Sequence, residues 1–353
     1  MTTSRKLRNI DGKLVGPGSP CFVIAEAGVN HNGDLARAIA LIDAAAEAGA
    51  SAVKFQTFKA KRLVTLHAPK AAYQLRNEQV QESQLEMLQR LELTEDDHRK
   101  LFTHCRKRGV LFMSTPFEEQ SADLLYELGV SVFKVPSGEM TNLPFLEHLA
   151  RLGKPLVVST GMCSLGEVEA AVETIERAGN DQIILLHCVS NYPADPADVN
   201  LRAMDTMRVA FGYPVGYSDH TLGISVGLAS VAMGATVVEK HFTLDRNLPG
   251  PDHRASLEPG ELKELIAGIR TIEIAMGTGR KSPVESERDT ALVARKSLVA
   301  AEDIPVGTIL TNELIAIKRP GTGLPPIMRL HLINRTTTCD IPAGSLIRLE
   351  NVA

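Results

Sequence analysis

Two short stretches of this chain bring together residue types that can do chemistry. Gly216-Tyr217-Ser218-Asp219-His220 and Glu239-Lys240-His241-Phe242-Thr243 each close an apolar run, Tyr213 to Tyr217 and Thr236 to Val238, and the helix-like segment Gly223 to Met233 lies between them. As neighbouring parallel strands they would present His220 and His241 side by side at the carboxyl edge of one sheet. Two imidazoles there can share a divalent cation, with Ser218 and Lys240 supplying polar contacts. No third protein ligand is apparent, so the coordination sphere stays open to water and substrate oxygens. Such a sphere suits polarisation of a carbonyl better than structural clamping.

Lysines recur inside the apolar runs, at Lys54, Lys134 and Lys240. A strand lysine that points inward must meet an anion, because unpaired burial costs several kcal/mol or drives deprotonation. Two readings stand side by side. The anions are internal, from Glu26, Glu139 and Glu239, or they belong to a substrate carrying a phosphate and a carboxylate, with hydroxyls of Ser137, Ser159 and Ser218 completing a cradle. The chain has no P-loop pattern, so nothing points to a nucleotide. The chemistry alone suggests a metal-assisted carbon–carbon ligase or aldolase-like lyase.

The elements that would position these residues repeat in a regular beat. Cys21–Ala27, Ala52–Thr57, Val110–Ser114, Val132–Val135, Leu156–Ser159, Ile183–His187 and the two runs above read as strands, most of them followed by a helix-like segment. Asp34 suits the N-cap of an Ala-rich helix from Leu35 to Ala48, which Gly49 stops. Alternation puts Lys54 and Gln56 on one side of their strand. Eight βα units between Phe22 and Met276 fit an α/β fold, a closed (β/α)8 TIM barrel, in which chemistry sits at the strand ends. An open doubly wound sheet competes less well, lacking G-x-G-x-x-G after the first strand. Lys59–Glu92 is an unusually long insertion that carries Tyr73-Gln74, and its stretch from Gln79 to Gln89 reads as helical.

The beat ends near Gly277. We expect a catalytic domain over 1–280, a linker over 281–294 and a small, mostly β module over 295–353. Short strands are expected at Ser297–Ala300, Ile309, Ile315–Arg319 and Leu346–Leu349, with similar turns at Ile304–Ile309 and Ile341–Leu346.

Composition limits the rest. The 353 residues are 44% apolar with a net charge of −4, which gives no electrostatic reason to expect nucleic acid or anionic membrane as partner. No apolar run approaches the roughly 20 residues of a membrane-spanning helix. The polar start, Met1 to Asn9, is not followed by the apolar core of a secretory signal. Five cysteines without CxxC spacing are expected to be free thiols in a reducing cytoplasm.

Taken in chain order, Ile24-Ala25-Glu26-Ala27-Gly28-Val29-Asn30-His31-Asn32-Gly33, Lys54-Phe55-Gln56-Thr57, Ser114-Thr115-Pro116-Phe117, Lys134-Val135-Pro136-Ser137-Gly138-Glu139, Ser159-Thr160-Gly161-Met162, Ser218-Asp219-His220-Thr221 and Glu239-Lys240-His241-Phe242-Thr243 closely resemble the sialic acid synthase family. Pro249-Gly250-Pro251-Asp252 and Lys318-Arg319-Pro320-Gly321-Thr322-Gly323 extend the match, and 295–353 looks like that family's antifreeze-like (SAF) domain. The resemblance implies condensation of phosphoenolpyruvate with N-acetylmannosamine and water, giving N-acetylneuraminate and phosphate. It implies Mn²⁺ or Mg²⁺ on His220 and His241. Lys54, Thr115, Lys134, Ser137, Ser159, Ser190 and Ser218 are implied for phosphoenolpyruvate. Glu26, Gln56, Glu139, Tyr192 and Asp252 are implied for the sugar, with Glu26, Lys54, Glu139 and the two histidines catalytic and Glu139 handling a proton or positioning water. The family's domain-swapped homodimer implies that Arg319 reaches into a partner's site and binds the sugar's N-acyl group. One departure stands out. Members dedicated to N-acetylneuraminate often read Cys-Thr-Asn-x-Tyr-Pro where this chain has Cys188-Val189-Ser190-Asn191-Tyr192-Pro193, and synthases of legionaminic or pseudaminic acid also vary here. The alternative substrate is therefore a 2,4-diacetamido-trideoxyhexose. A non-enzymatic ice- or glycan-binding role, suggested by the SAF-like tail, leaves the lysines and the histidine pair without a purpose.

Overall fold

A computed structural model of the chain describes residues 7–71, 74–75 and 82–353. The chain separates into two compact units, 1–277 and 278–353. The first is built on an eight-stranded parallel sheet: β3 (Phe22–Gly28), β4 (Ala52–Thr57), β5 (Leu111–Pro116), β6 (Phe133–Val135), β7 (Leu156–Ser159), β8 (Ile183–Cys188), β9 (Val215–Asp219) and β10 (Val237–His241). The strand order is β5-β4-β3-β10-β9-β8-β7-β6, and β5 and β6, the two ends of that order, lie against each other. This is the (β/α)8 barrel that the strand rhythm predicts, each expected strand falling within a few residues of its observed place.

Period-two alternation divides the side chains between two cores. The inner one, deep in the barrel, is formed by Phe22, Ile24, Ala52, Met113, Val132, Val157, Ile184, Leu186 and Val237. The outer one packs Val23, Val53, Phe112, Phe133, Val158 and Leu185 against the helices. Ile10 and Val15 join the inner core from a short antiparallel hairpin, β1 (Arg8–Ile10) with β2 (Lys13–Val15), so the hairpin plugs the barrel where the strands begin. Arg8 pins it by donating to the Ile183 carbonyl at 3.4 Å. Three-residue strands carry no readable periodicity, and sequence reasoning missed them.

The helices are cut to length by local chemistry. Asp34 caps Leu35–Ala48 by accepting from the amides of Ala36 and Arg37, and Gly49 ends it in the left-handed region. Ser83 with Glu86, Thr94 with Asp97, and Ser164 with Glu167 form reciprocal capping boxes, each a local gain of about 1 kcal/mol. In the long insertion, the helix expected from Gln79 to Gln89 runs from Gln84 to Leu91. Its earlier part, 79–81, and Tyr73 lie outside the described residues. That helix packs Met87 and Leu91 with Val29 and Phe58 into a small separate apolar cluster.

The second unit pairs β11 (Ser297–Ala300) with β12 (Ile315–Lys318) in antiparallel register. Its own core includes Leu298, Ile304, Leu310, Ile315, Leu332, Ile341 and Ile347. The two similar turns meet through an Ile304–Ile341 bridge, while Ile309 and Leu346 each make a single bridge rather than a strand. The stretch 281–294 carries a short helix, Arg288–Ala294, held to this unit by Gly321 N donating to the Leu292 carbonyl at 2.7 Å. Among the described residues no helix is long and apolar enough to cross a membrane.

Candidate active site

The alternation that buries Ile24, Ala52, Met113, Val157 and Val237 in the inner core points the next inward residue of each strand toward the carboxyl end. Those residues are Glu26, Lys54, Thr115, Ser159 and Glu239, joined by Lys134 and Ser218 from β6 and β9. All seven are nearly completely buried. They form the floor of a cavity of about 470 Å³. Gln56, Ser137, Glu139, Ser190, Tyr192, His220, His241 and Asp252 line the same cavity, which therefore gathers every site residue expected in the first unit except Lys240. Arg319 belongs to the second unit, where it is exposed and donates Nε to the Ala294 carbonyl at 3.1 Å.

The floor is a charge network. Lys54 Nζ lies 2.7 Å from Glu26 Oε2 and 3.0 Å from Thr115 Oγ1. Glu239 Oε1 stands 3.6 Å from Lys54 Nζ and 3.7 Å from Lys134 Nζ, and accepts from Ser218 Oγ at 3.1 Å. Lys134 also donates to Ser159 Oγ at 2.7 Å. Burial pushes Glu26 up to about 7, with Lys54 drawing it back toward ionisation. Burial also opposes charge on Lys54, but Glu239 and Glu26 outweigh it and hold the ammonium above its ordinary value. The 2.7 Å contact makes Glu26 and Lys54 an ion pair, with burial opposing the charge of both. Lys134 falls below its ordinary value because burial prevails there. Glu239 lies below its usual range, its burial more than offset by Lys134 and Lys54. The internal ion-pair reading is thus realised by Glu26 and Glu239. Glu139 is half-buried at the cavity mouth, where its Oε2 accepts from Asn142 Nδ2 at 2.7 Å.

One expectation needs correction, and one inward residue goes unread in the sequence. Lys240 does not join this floor: it alternates with Glu239 and His241 and faces the helix layer. There it is fully buried, 2.8 Å from Asp219 Oδ2, and donates to the Thr221 carbonyl. Conversely, Cys188, read only as a free thiol, lies inward on β8 with its Sγ 3.8 Å from His220 Nδ1. The signal was present, because Ile184, Leu186 and Cys188 share one face of the strand.

His220 and His241 meet at the strand ends with ring centroids 5.4 Å apart, and Tyr192 packs on His220 at 4.1 Å. His220 Nδ1 donates to the Val189 carbonyl at 2.7 Å, so that in the neutral ring Nε2 carries the lone pair. Burial, then the cationic neighbours, holds His241 neutral, well below its ordinary value, and its buried Nδ1 lacks a hydrogen-bond partner. Asp252 Oδ2 lies 3.9 Å from that nitrogen. His220 is held above its ordinary value, burial being outweighed by Cys188 and the Val189 carbonyl. A divalent cation at Nε2 competes with that proton. With that proton displaced, His220 and the neutral His241 are nitrogen donors of the kind a divalent cation takes. Among the described residues no cluster of three or more His, Cys, Asp or Glu is placed to hold one, so further ligands would come from water or substrate.

Beside the lysines, Ser137 Oγ accepts from the Gly161 amide at 2.9 Å. A Cβ on Gly161 would stand 2.3 Å from Ser190 Oγ and 2.8 Å from Ser137 Oγ, so only glycine leaves this hydroxyl-lined corner open. Hydroxyls and ammonium groups converging on one corner suit a phosphate or carboxylate. A larger hollow of about 890 Å³ opens where the strands begin, near Cys21, Pro214 and Thr236. It contains Arg208 and Glu273, which are already paired with Asp205 and Arg270.

The NeuB family model matches residues 41–281, and the SAF domain model matches 295–353. The chain is 47% identical over 356 residues to the N,N'-diacetyllegionaminic acid synthase of Legionella pneumophila, covering 100% of this chain and 99% of that one. Identity to the synthase of the same name from Campylobacter jejuni is 49% over 329 residues, covering 93% and 98%. Among solved structures, the N-acetylneuraminic acid (sialic acid) synthetase of Leptospira borgpetersenii, crystallised in complex with citrate, superposes with a TM-score of 0.72 at 35% identity, covering 81% of this chain and 95% of that one. The resemblance drawn from the strand-end motifs is borne out, and the family match spans all the barrel strands that follow the first: the chain belongs to the NeuB family and carries a SAF domain over residues 295–353.

Proposed function

We propose that this protein condenses phosphoenolpyruvate with a 2,4-diacetamido-trideoxyhexose and water, releasing phosphate and a nonulosonic acid of the legionaminic type. The observation that carries the reaction is the buried floor on which Lys54 and Lys134 share Glu239 beneath the paired histidines. What favours this sugar over N-acetylmannosamine is the likeness to two legionaminic acid synthases at 47% and 49% identity, together with Ser190 at a position where N-acetylneuraminate synthases often carry asparagine.

Lys54, Lys134 and the hydroxyls of Thr115, Ser137, Ser159, Ser190 and Ser218 bind the phosphate and carboxylate of phosphoenolpyruvate. Glu26, Gln56, Tyr192 and Asp252 orient the open-chain sugar. His220 and His241 would hold Mn²⁺ or Mg²⁺, which when bound supplies Lewis-acid polarisation of a carbonyl. The enol C3 attacks the sugar's aldehyde carbon, and the aldehyde oxygen takes a proton to become a hydroxyl. Water adds at C2 and gives up a proton; the bond from C2 to the phosphate-bearing oxygen then breaks, and the new C2 hydroxyl passes its proton to the departing phosphate to leave a ketone. Glu139, at the mouth and partly solvated, handles that proton or positions the water. Exchange of the second unit between two copies, bringing Arg319 of the partner subunit to the sugar's N-acyl group, is part of the same proposal.

The test is phosphate release from phosphoenolpyruvate with a panel of N-acylated aldoses and Mn²⁺, with the product weighed by mass spectrometry. Turnover with the diacetamido sugar supports the proposal. Turnover confined to N-acetylmannosamine would move the assignment to N-acetylneuraminate.

A further inference from the structure

The cavity has two chemically unlike halves. Its floor carries the ion network, but the wall supplied by the residues that follow β4 and by the helix Gln84–Leu91 is apolar. Phe58, Leu63, Val64, Met87, Leu88 and Leu91 all line the cavity. Phe58, Met87 and Leu91 are buried in a cluster of their own, with Leu63 and Leu88 packed against it. Among the described residues of the same insertion, Gln74 and Gln84 are the polar side chains that line the cavity. This wall is more than a by-product of folding, because its core members already bury one another while Leu63, Val64 and Leu88 remain half-exposed toward the hollow.

We infer that this wall selects the far end of the sugar, accepting a tail that bears methyl groups and disfavouring one that bears hydroxyls. The inference rests on the reaction proposed above, in which the aldehyde end is held at His220 and His241 and the remaining carbons extend away from the floor. A methyl placed against Leu63, Val64 and Leu88 leaves no polar group unpaired. A hydroxyl at the same place surrenders its water without gaining a partner. A pocket of this kind discriminates only moderately against an added hydroxyl, by about 100-fold. The wall is thus a specificity determinant and Leu63, Val64 and Leu88 its readers; none of them touches the reacting atoms.

The experiment compares kcat/KM for a matched pair, the 2,4-diacetamido-trideoxyhexose and its counterpart with a hydroxyl on the terminal carbon, in the wild type, Val64→Thr and Leu88→Gln. Both positions are half-exposed, and Val64→Thr keeps side-chain volume, so folding can be checked by thermal melting. The expected result is a wild-type preference for the deoxy sugar that shrinks by about tenfold in either variant, with KM moving more than kcat. A wild type that treats the pair alike, or a preference that neither substitution moves in a folded protein, overturns the role of the wall while leaving the proposed reaction intact. A folded wild type that releases no phosphate with any aldose overturns the reaction, and the wall's role falls with it.

Discussion

Lys54 Nζ lies 2.7 Å from Glu26 Oε2, across two adjacent strands that place these residues directly opposite each other. Both are nearly completely buried, and Glu239 Oε1 stands 3.6 Å from the same ammonium. Two lysines and two carboxylates therefore balance on the barrel floor. A phosphate monoester and a carboxylate together bring close to three negative charges. Their arrival must displace a carboxylate from a lysine, protonate Glu26, or be matched by added positive charge. Burial has already moved Glu26 to about 7, so a proton is available to it at little cost.

Removing one lysine should therefore cost more turnover than fold. Lys134 lies below its ordinary value and touches Ser159 and Glu239. Lys134→Met is expected to lower kcat/KM for phosphoenolpyruvate by about 10²–10³-fold, the usual loss for one preorganised electrostatic donor. Melting curves run in parallel separate this from unfolding. An unchanged kcat/KM would remove Lys134 from the phosphoenolpyruvate site.

Lys240 makes the opposite prediction. Its ammonium and Asp219 are sealed between the sheet and the helices, away from the cavity. Asp219→Ala should destabilise the barrel by about 3–5 kcal/mol, because it strands a buried charge. The double variant Asp219→Asn with Lys240→Met, which leaves no charge behind, should recover most of that loss. Urea unfolding measures both, and a double variant no better than the single one would contradict the pair's isolation.

Acid should weaken the fold through buried histidines. His31 and His253 are each depressed by burial to about 4, against an ordinary value of 6.5. A depressed folded-state pKa means that the unfolded chain takes up protons first. Stability is therefore full above about pH 6.5 and falls as the pH drops from 6.5 toward 4, by about 3 kcal/mol for each histidine. Denaturant titrations at pH 7 and pH 5 should show this, and His31→Asn should flatten the slope. Equal slopes in the variant and the wild type would assign the acid sensitivity elsewhere.

The histidine pair predicts metal-linked stability. Mn²⁺ at 100-fold above its Kd should raise the unfolding free energy by about 2.7 kcal/mol. Neither His220→Ala nor His241→Ala should respond. Chelator dialysis should abolish turnover in the wild type, and Mn²⁺ should restore it. A wild type that is not stabilised by any divalent cation would count against the pair as a metal site.

Much of this was legible in the residues, and the misses have physical causes. The apolar beat fixes eight strands, and alternation puts Lys54 and Gln56 on one side of β4, where both line the cavity. The same alternation, followed along β10, turns Lys240 away and Glu239 inward; an apolar run that ends Glu-Lys-His invites pooling all three. Cys188 was hidden because a thiol inside Ile-Ile-Leu-Leu-His-Cys reads as packing. Arg319 is not a matter of strand register at all, since the role proposed for it calls for the second unit of another copy.

The most direct measurement is phosphate released from phosphoenolpyruvate by the purified, Mn²⁺-loaded protein, with the 2,4-diacetamido-trideoxyhexose and N-acetylmannosamine supplied in separate reactions. The account predicts release that depends on sugar, is faster with the diacetamido sugar, and yields a product heavier than that sugar by one pyruvate unit. Release only with N-acetylmannosamine, or no release with either sugar, would contradict it.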